Sequence, residues 1–167
     1  MRLLTAADPD ALARAYRENR RHLEPWEPSH DDAFFTSAGQ AERIAGSLEG
    51  LAAGTDVPWV LTSEDRIVGT ITLTGIVRGP FLNAHIGYWV DSRLQSRGVC
   101  SAAVGAALQY ARDESALHRV QASVLPGNIS SRAVLERTGF TLIGTAPSYL
   151  RIAGSWQDHL LYQRILT

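Results

Sequence analysis

The chain has 167 residues, which suits a single domain large enough to bury a core. Apolar residues make up 45% and charged residues 20%, an ordinary globular composition that argues against a disordered chain. The net charge is -1 and every basic residue is arginine, so the balanced charge predicts no nucleic-acid partner. The single cysteine, Cys100, excludes an internal disulfide, and no apolar run is long enough to span a membrane. With no signal peptide visible, the sequence predicts a cytoplasmic protein.

The first third of the chain predicts two helices around a proline-containing loop. Met1–Thr5 suits a short edge strand, and helical spacing runs over residues 9–23, with Asp8 placed to cap the helix. Two prolines in the loop Glu24–Asp32 then end the helical pattern. A second helix is predicted over Ser37–Ala53, and its apolar stripe consists of Ala41, Ile44, Ala45, Leu48 and Leu51.

The rest of the chain predicts a sheet interrupted by two helices. Two β-rich runs at Trp59–Thr62 and Ile67–Leu73 predict a hairpin, and a loop at Gly75–Asn83 leads to a buried strand at Ile86–Val90. The elements that follow are a helix from about Ser101 to Ala111, a strand at Arg119–Leu125, a helix at Ser130–Thr138 and strands at Phe140–Gly144, Tyr149–Ile152 and Asp158–Ile165. This order implies one α+β domain over residues 1–167, with a mixed, largely antiparallel sheet flanked by helices.

The strand, loop and helix at residues 86–111 predict a phosphate-binding site. The helix leaves its first N–H groups unpaired beside the positive end of its dipole. Gly98 lets the backbone approach a ligand closely, and Arg97 adds positive charge. The alternative is an ordinary turn with a helix cap. The candidate phosphate contacts are Gln95, Ser96, Arg97, Gly98, Val99, Cys100 and Ser101.

The segment Gln95–Cys100 resembles the acetyl-CoA pyrophosphate loop of the GNAT acetyltransferases, with Cys100 at the usual Gly or Ala position. The flanking segments Ile86–Val90 and Asn128–Phe140 are similar to the RimJ/RimL branch of that family. The resemblance implies a GNAT fold and acetyl-CoA as cosubstrate, with no metal. It also implies direct acetyl transfer to a primary amine, above all the N-terminal α-amine of a protein or peptide. The resemblance makes Cys100 a small packing residue. The alternative is a nucleophilic Cys100, because a thiol at the start of a helix can have a lowered pKa.

The resemblance also implies roles for residues around the acyl group. Asn128 would hold the pantetheine arm, and the Ser131 hydroxyl would protonate the departing thiolate; helix capping alone is the competing explanation for both. The main chain of Trp89 and Val90 would contact the pantetheine, while the side chain of Trp89 suits the core. A sheet that splays open beside this strand would provide the slot.

The sequence leaves three candidates for the general base. His85 stands where relatives commonly carry Glu, and an imidazole with a pKa of about 6.5 suits proton acceptance near neutral pH. Glu27, on the expected acceptor loop, competes with it, and a water chain is the third candidate. The carboxylate that some relatives carry on the strand after Gly144 is missing here.

The acceptor site is expected to involve Trp26, Glu27, Tyr149 and Asp158, with a structural role as the alternative for Trp26 and Asp158. A small amine, such as an antibiotic or an amino-acid conjugate, is an alternative acceptor. A closed aromatic pocket would favour the small amine, and an open polar groove would favour the peptide. A non-catalytic acyl-CoA-binding domain is a second alternative, because the base positions depart from the family pattern. A homodimer is left open.

Overall fold

A computed structural model describes residues 1–166 of the chain. In these residues, seven strands and four helices alternate along most of the sequence, together with two short 3-10 helices at Asp32–Phe35 and Ser92–Leu94. The elements are β1 (Arg2–Leu3), α1 (Pro9–Leu23), α2 (Ser37–Ala53), β2 (Val57–Ser63), β3 (Arg66–Val77), β4 (Asn83–Val90), α3 (Val99–Asp113), β5 (Arg119–Val124), α4 (Ile129–Arg137), β6 (Thr141–Ile152) and β7 (Ser155–Ile165). No helix among them is both long and apolar enough to cross a membrane.

The seven strands form one mixed sheet in the order β1-β2-β3-β4-β5-β7-β6. Every neighbouring pair is antiparallel except β4 and β5, which are parallel. Their pairing begins at Asn83 opposite Arg119 and ends at His85 opposite Gln121. Beyond that point the rest of β4 pairs only with β3, and the rest of β5 only with β7. The sheet therefore opens between β4 and β5, as the sequence predicts.

Two hydrophobic clusters hold the helices against opposite faces of this sheet. Helices α3 and α4 contribute Val104, Ala107 and Leu135 to the cluster that contains Ile86 of β4. Helices α1 and α2 pack on the other face, around Trp89 of β4. Because side chains alternate along a strand, β4 supplies both clusters, and its free edge lies between them. The opening in the sheet thus lies at the junction of the two cores.

Two details of the N-terminal helices differ from the sequence prediction. Asp8 precedes α1, but its carboxylate accepts hydrogen bonds from Arg2 and Thr5 instead of from the first helix amides. On α2 the inward face runs through Gln40, Ile44, Leu48 and Leu51, and the predicted core residues Ala41 and Ala45 are exposed. Gln40 is fully buried, and its polar atoms are satisfied there. Its amide nitrogen donates to the carbonyl of Phe34, and its side-chain oxygen accepts from Arg43.

Three element boundaries also move. Strand β3 continues to Val77, into the predicted loop. Helix α3 begins at Val99, two residues before the predicted start. The two predicted strands at 140–144 and 149–152 are one irregular strand, β6, with register shifts between Leu142 and Gly144 and between Ala146 and Leu150. These shifts turn the end of the β6–β7 hairpin toward the opening in the sheet.

Candidate active site

A cavity of about 1000 Å³ occupies the opening between β4 and β5. Its walls come from five parts of the chain: the end of α1 with the loop after it, strand β4, the loop into α3, the end of β5 with α4, and the β6–β7 hairpin. The predicted site residues that line it are Trp26, Glu27, Trp89, Val90, Gln95, Ser96, Gly98, Val99, Cys100, Ser101, Asn128 and Ser131. Among the residues that the structure describes, the predicted site residues His85, Arg97, Tyr149 and Asp158 lie outside the lining.

One end of the cavity is built to receive a phosphate. Gly98 precedes α3 with a φ of 77°, a left-handed conformation that favours glycine. The first hydrogen bond of the helix runs from the Ala102 amide to the Gly98 carbonyl at 2.9 Å, so the amides of the first turn remain available. The Ser101 hydroxyl oxygen is buried and has no partner among residues 1–166. This orphaned donor beside free amides fits the pyrophosphate of acetyl-CoA.

The start of the phosphate loop is anchored to α1. Asn19 of α1 accepts from the Ser92 amide at 3.0 Å and donates to the Asp91 carboxylate at 3.3 Å. Asp91 also accepts from the amide and guanidinium of Arg93, and these bonds hold the pKa of its carboxyl well below the usual range. Further along the loop, the Gln95 amide lies 3.4 Å from the His22 ring. The loop is therefore held in place by side chains of α1.

Cys100 lies in this loop region, at the start of α3, and its thiol is free. Its side chain is partly buried at the start of α3, and burial raises the pKa of the thiol to about 11. This direction is opposite to the lowered pKa that the reactive-thiol alternative requires, so burial favours a packing role for Cys100.

Positive charge reaches the cavity from a different arginine than the sequence suggests. Arg97 is exposed and lies beside the cavity without lining it. Arg137, on α4, does line it, together with Ser130, Ala133 and Val134. These four positions are three or four residues apart, so they share one face of α4. Helical spacing counted from Ser130 could therefore have identified Arg137 from the sequence.

Ser131 lies at the N-terminal end of α4, where Asn128 is the N-cap. The Asn128 side-chain oxygen accepts from the Ser131 amide at 3.1 Å, so the capping explanation holds for Asn128. The Ser131 hydroxyl lies 3.1 Å from the hydroxyl of Tyr88, which reaches across from β4. Tyr88 also lines the cavity, although its residue type and position favour a core role from sequence alone.

Glu27 provides an ionisable carboxyl where the loop after α1 lines the cavity, at the predicted acceptor site. Its side chain is 24% exposed, and burial raises its pKa to about 7, while Arg43 opposes this rise. The His30 ring lies 3.5 Å from the carboxylate and stacks on Phe34 with 3.6 Å between ring centroids. Burial also lowers the pKa of His30, which disfavours a charged imidazole beside the Glu27 carboxylate. Glu27 therefore titrates in the neutral range.

His85 is less well placed than Glu27. It is the last residue of β4 that pairs with β5, and its side chain is exposed at the closed end of the opening. Partial burial lowers the pKa of its imidazole. The cavity lining begins at the next residue, Ile86.

The β6–β7 hairpin forms one wall of the acceptor end. Trp26 lines the cavity, and the carbonyl of Glu27 accepts from the Ala153 amide of the hairpin at 3.1 Å. Asp158 has the structural role, since its carboxylate accepts from the Ser148 amide at 2.8 Å within the β6 irregularity. Tyr149 does not line the cavity but packs on His159. His159 is buried and does line the cavity. The hairpin residues that sequence reasoning missed are Leu150, Arg151, Ile152 and His159.

Comparison with known proteins identifies this architecture. Residues 1–141 match the acetyltransferase (GNAT) domain family. The chain is 34% identical over 163 residues to the [ribosomal protein uS5]-alanine N-acetyltransferase of Escherichia coli, covering 96% of this chain and 84% of that protein.

Solved structures show the same similarity. The ribosomal-protein-S5-alanine acetyltransferase of Vibrio fischeri is 35% identical, with a TM-score of 0.94 over 99% of this chain and 91% of that chain. RimJ of Mycobacterium smegmatis, solved in complex with CoA-disulfide, is 32% identical, with a TM-score of 0.94 over 98% and 80% of the two chains. The chain therefore belongs to the GNAT acetyltransferases, and it is an acetyl-CoA-dependent N-acetyltransferase similar to the RimJ/RimL enzymes rather than a non-catalytic acyl-CoA-binding domain.

Proposed function

We propose that this enzyme acetylates the N-terminal α-amine of a protein, with Glu27 as general base and Ser131 as the donor of a proton to the leaving thiolate. The observation that carries the proposal is that both side chains line one cavity, which also contains the phosphate-binding loop. Acetyl-CoA would be held by the first-turn amides of α3, the Ser101 hydroxyl, Asn128 and the free edge of β4. No covalent enzyme intermediate is needed, because the thioester is already activated.

The pKa of Glu27 supports its role as base. An α-amine has a pKa of about 7.7–8.0 and arrives mostly as ammonium near pH 7. Transfer of its proton to a carboxylate with a pKa of about 7 costs about 1 kcal/mol. Transfer to a carboxylate at the ordinary value of 4.5 would cost more than about 4 kcal/mol. Burial of Glu27 therefore removes most of the cost of generating the free amine.

The proposed transfer then balances in protons and bonds. The neutral amine attacks the thioester carbon, so the N–C bond forms and the C–S bond breaks. The sulfur takes the proton of the Ser131 hydroxyl. The proton that the nitrogen loses as the amide forms restores that hydroxyl, and the excess proton of the ammonium leaves through Glu27 to solvent. Each turnover therefore yields an N-acetylated acceptor, free CoA and one released proton.

The walls of the acceptor end support a peptide. Trp26, Leu150 and Arg151 line this end and are exposed, so the entrance is open to solvent and includes a charged group. An open, mixed entrance admits a chain that continues beyond its first residue. The relatives named for alanine acetylation of a ribosomal protein support the same acceptor class. A ribosomal-protein acceptor would be consistent with the cytoplasmic location that the sequence predicts.

Release of CoA from acetyl-CoA, measured with an amino-acid amide, a tripeptide and a hexapeptide, tests the acceptor class. We expect kcat/KM to rise with peptide length, because added residues contact the open walls. We expect Glu27→Gln and Ser131→Ala each to lower kcat by about 100-fold. His85→Gln is the matched control and is expected to stay near the wild-type rate. Higher kcat/KM with small amines than with any peptide would instead indicate a small-molecule acceptor, and a slow His85→Gln variant would transfer the base role to His85.

A further inference from the structure

Tyr88 and Ser131 face each other across the opening in the sheet. Tyr88 stands on β4 and Ser131 on α4, and their hydroxyl oxygens are 3.1 Å apart. The Tyr88 hydroxyl also donates to the Ser131 carbonyl at 3.3 Å, since a carbonyl can only accept. Both residues line the cavity. Tyr88 therefore contacts the proposed proton donor from the opposite wall.

Serine alone is a poor acid for this task. Its hydroxyl gives up a proton far less readily than a thiol, whose pKa is about 8.5, so its proton must already point at the sulfur when the C–S bond breaks. In a helix, a serine hydroxyl often donates to a carbonyl one turn earlier. Among the described residues, the only partner of the Ser131 hydroxyl is Tyr88.

Tyr88 is suited to act as the donor in this contact. Burial raises the pKa of its hydroxyl above the usual value, so the group keeps its proton throughout the physiological range. Its single proton goes either to the Ser131 carbonyl or to the Ser131 hydroxyl oxygen, because either hydroxyl can be the donor in the 3.1 Å contact. When Tyr88 donates to the Ser131 oxygen, the proton of Ser131 is free for another acceptor on the cavity side.

We propose that Tyr88 is a positioning residue that orients the Ser131 hydroxyl toward the leaving sulfur of acetyl-CoA. The proposal rests on the role of Ser131 proposed above. Tyr88 would contribute to kcat only through Ser131. A purely structural contact between β4 and α4 would instead change stability without a kinetic link between the two residues.

A double-mutant cycle in kcat, at saturating acetyl-CoA and peptide, separates these roles. Tyr88→Phe keeps the ring and removes only the hydroxyl, and we expect it to lower kcat by about tenfold. We expect Ser131→Ala to lower kcat by about 100-fold and the double variant to be no slower than Ser131→Ala alone. The KM for acetyl-CoA should stay within about twofold in Tyr88→Phe, because the proposed effect is on the chemical step.

Tyr110→Phe is the matched control. Tyr110 packs edge-on against Trp59 with 5.1 Å between ring centroids and lies outside the cavity lining. Tyr110→Phe should keep the wild-type kcat. The melting temperatures of Tyr88→Phe and Tyr110→Phe show whether each variant is folded.

Three outcomes would overturn the inference. A wild-type kcat in Tyr88→Phe removes the role of Tyr88. Effects that multiply in the double variant show that Tyr88 acts independently of Ser131. A wild-type kcat in Ser131→Ala rejects the proposed role of Ser131 itself, and the inference with it. The second outcome leaves the proposed function intact, so the two failures are distinguishable.

Discussion

Glu27 shows how the surroundings of one side chain decide what it can do. The residue follows a helix and a proline-containing turn, positions that ordinarily expose a carboxylate. Here the hairpin amide of Ala153 binds the Glu27 carbonyl, and the side chain is largely buried beside the His30 ring. Desolvation disfavours the carboxylate more than Arg43 favours it, and the pKa rises to about 7. Sequence could identify the residue but not this burial.

The same shift predicts how stability depends on pH. Glu27 binds its proton more tightly in the folded chain than in the unfolded chain, so its protonation stabilises the fold below about pH 4.5. That stabilisation is lost as the pH rises through about 7. Glu27→Gln does not titrate, whereas His30 and Arg43 remain in both proteins. The quantity to follow is the free energy of unfolding of the variant minus that of wild type. This difference should rise by about 1–3 kcal/mol from about pH 5 to about pH 8. Urea unfolding at several pH values measures this difference, and a difference independent of pH would contradict the shift.

At the scale of elements, α1 holds both ends of the active site. Asn19 anchors the start of the phosphate loop, and His22 contacts Gln95 within it. The same helix then runs directly into the acceptor loop with Trp26 and Glu27. Asn19 is only 2% exposed, so removal of its amide would leave partners buried and unpaired.

Asn19→Leu should therefore weaken acetyl-CoA binding. We expect the KM for acetyl-CoA to rise by about tenfold, with kcat changed less than about twofold, because the loop loses its anchor but the reacting groups stay in place. Asp8→Asn is the control. Asp8, like Asn19, is a buried polar residue with side-chain hydrogen bonds, but it binds Arg2, its pKa is lowered to about 2, and it lies outside the cavity. Asp8→Asn should lower the melting temperature without raising KM. Equal KM values in both variants would contradict the anchoring role.

The elements themselves differ in how far sequence predicts them. The bounds of α1 and α2 follow from helical spacing and flanking residues, and the structure confirms them. The inward position of Gln40 does not follow, because its burial depends on partners in the preceding 3-10 helix and in the next turn of α2. The irregular strand β6 is also beyond local rules, since its register is set by long-range pairing with β7.

For the whole molecule, the sequence predicts the α+β class and the family resemblance implies the opening in the sheet. The structure shows both, and the solved relatives share the fold. The sequence also identifies most of the cavity wall near the phosphate loop, because that wall is one continuous strand, loop and helix. It misses Arg151 and His159, since tertiary pairing alone brings the hairpin to the acceptor end. The two side-chain candidates for the base illustrate the same limit. The family position and the ordinary pKa of an imidazole pointed to His85, whereas burial within the cavity favours Glu27.

The most direct test of the central claim is to locate the acetyl group by mass spectrometry. The acceptors are a hexapeptide that begins with alanine and contains one lysine, and the same peptide with its α-amine blocked. We predict acetylation of the first peptide at the α-amine alone and no product from the blocked peptide, because a lysine amine with a pKa of about 10.4 does not match Glu27. Acetylation of the lysine in both peptides, at rates unaffected by Glu27→Gln, would contradict the account.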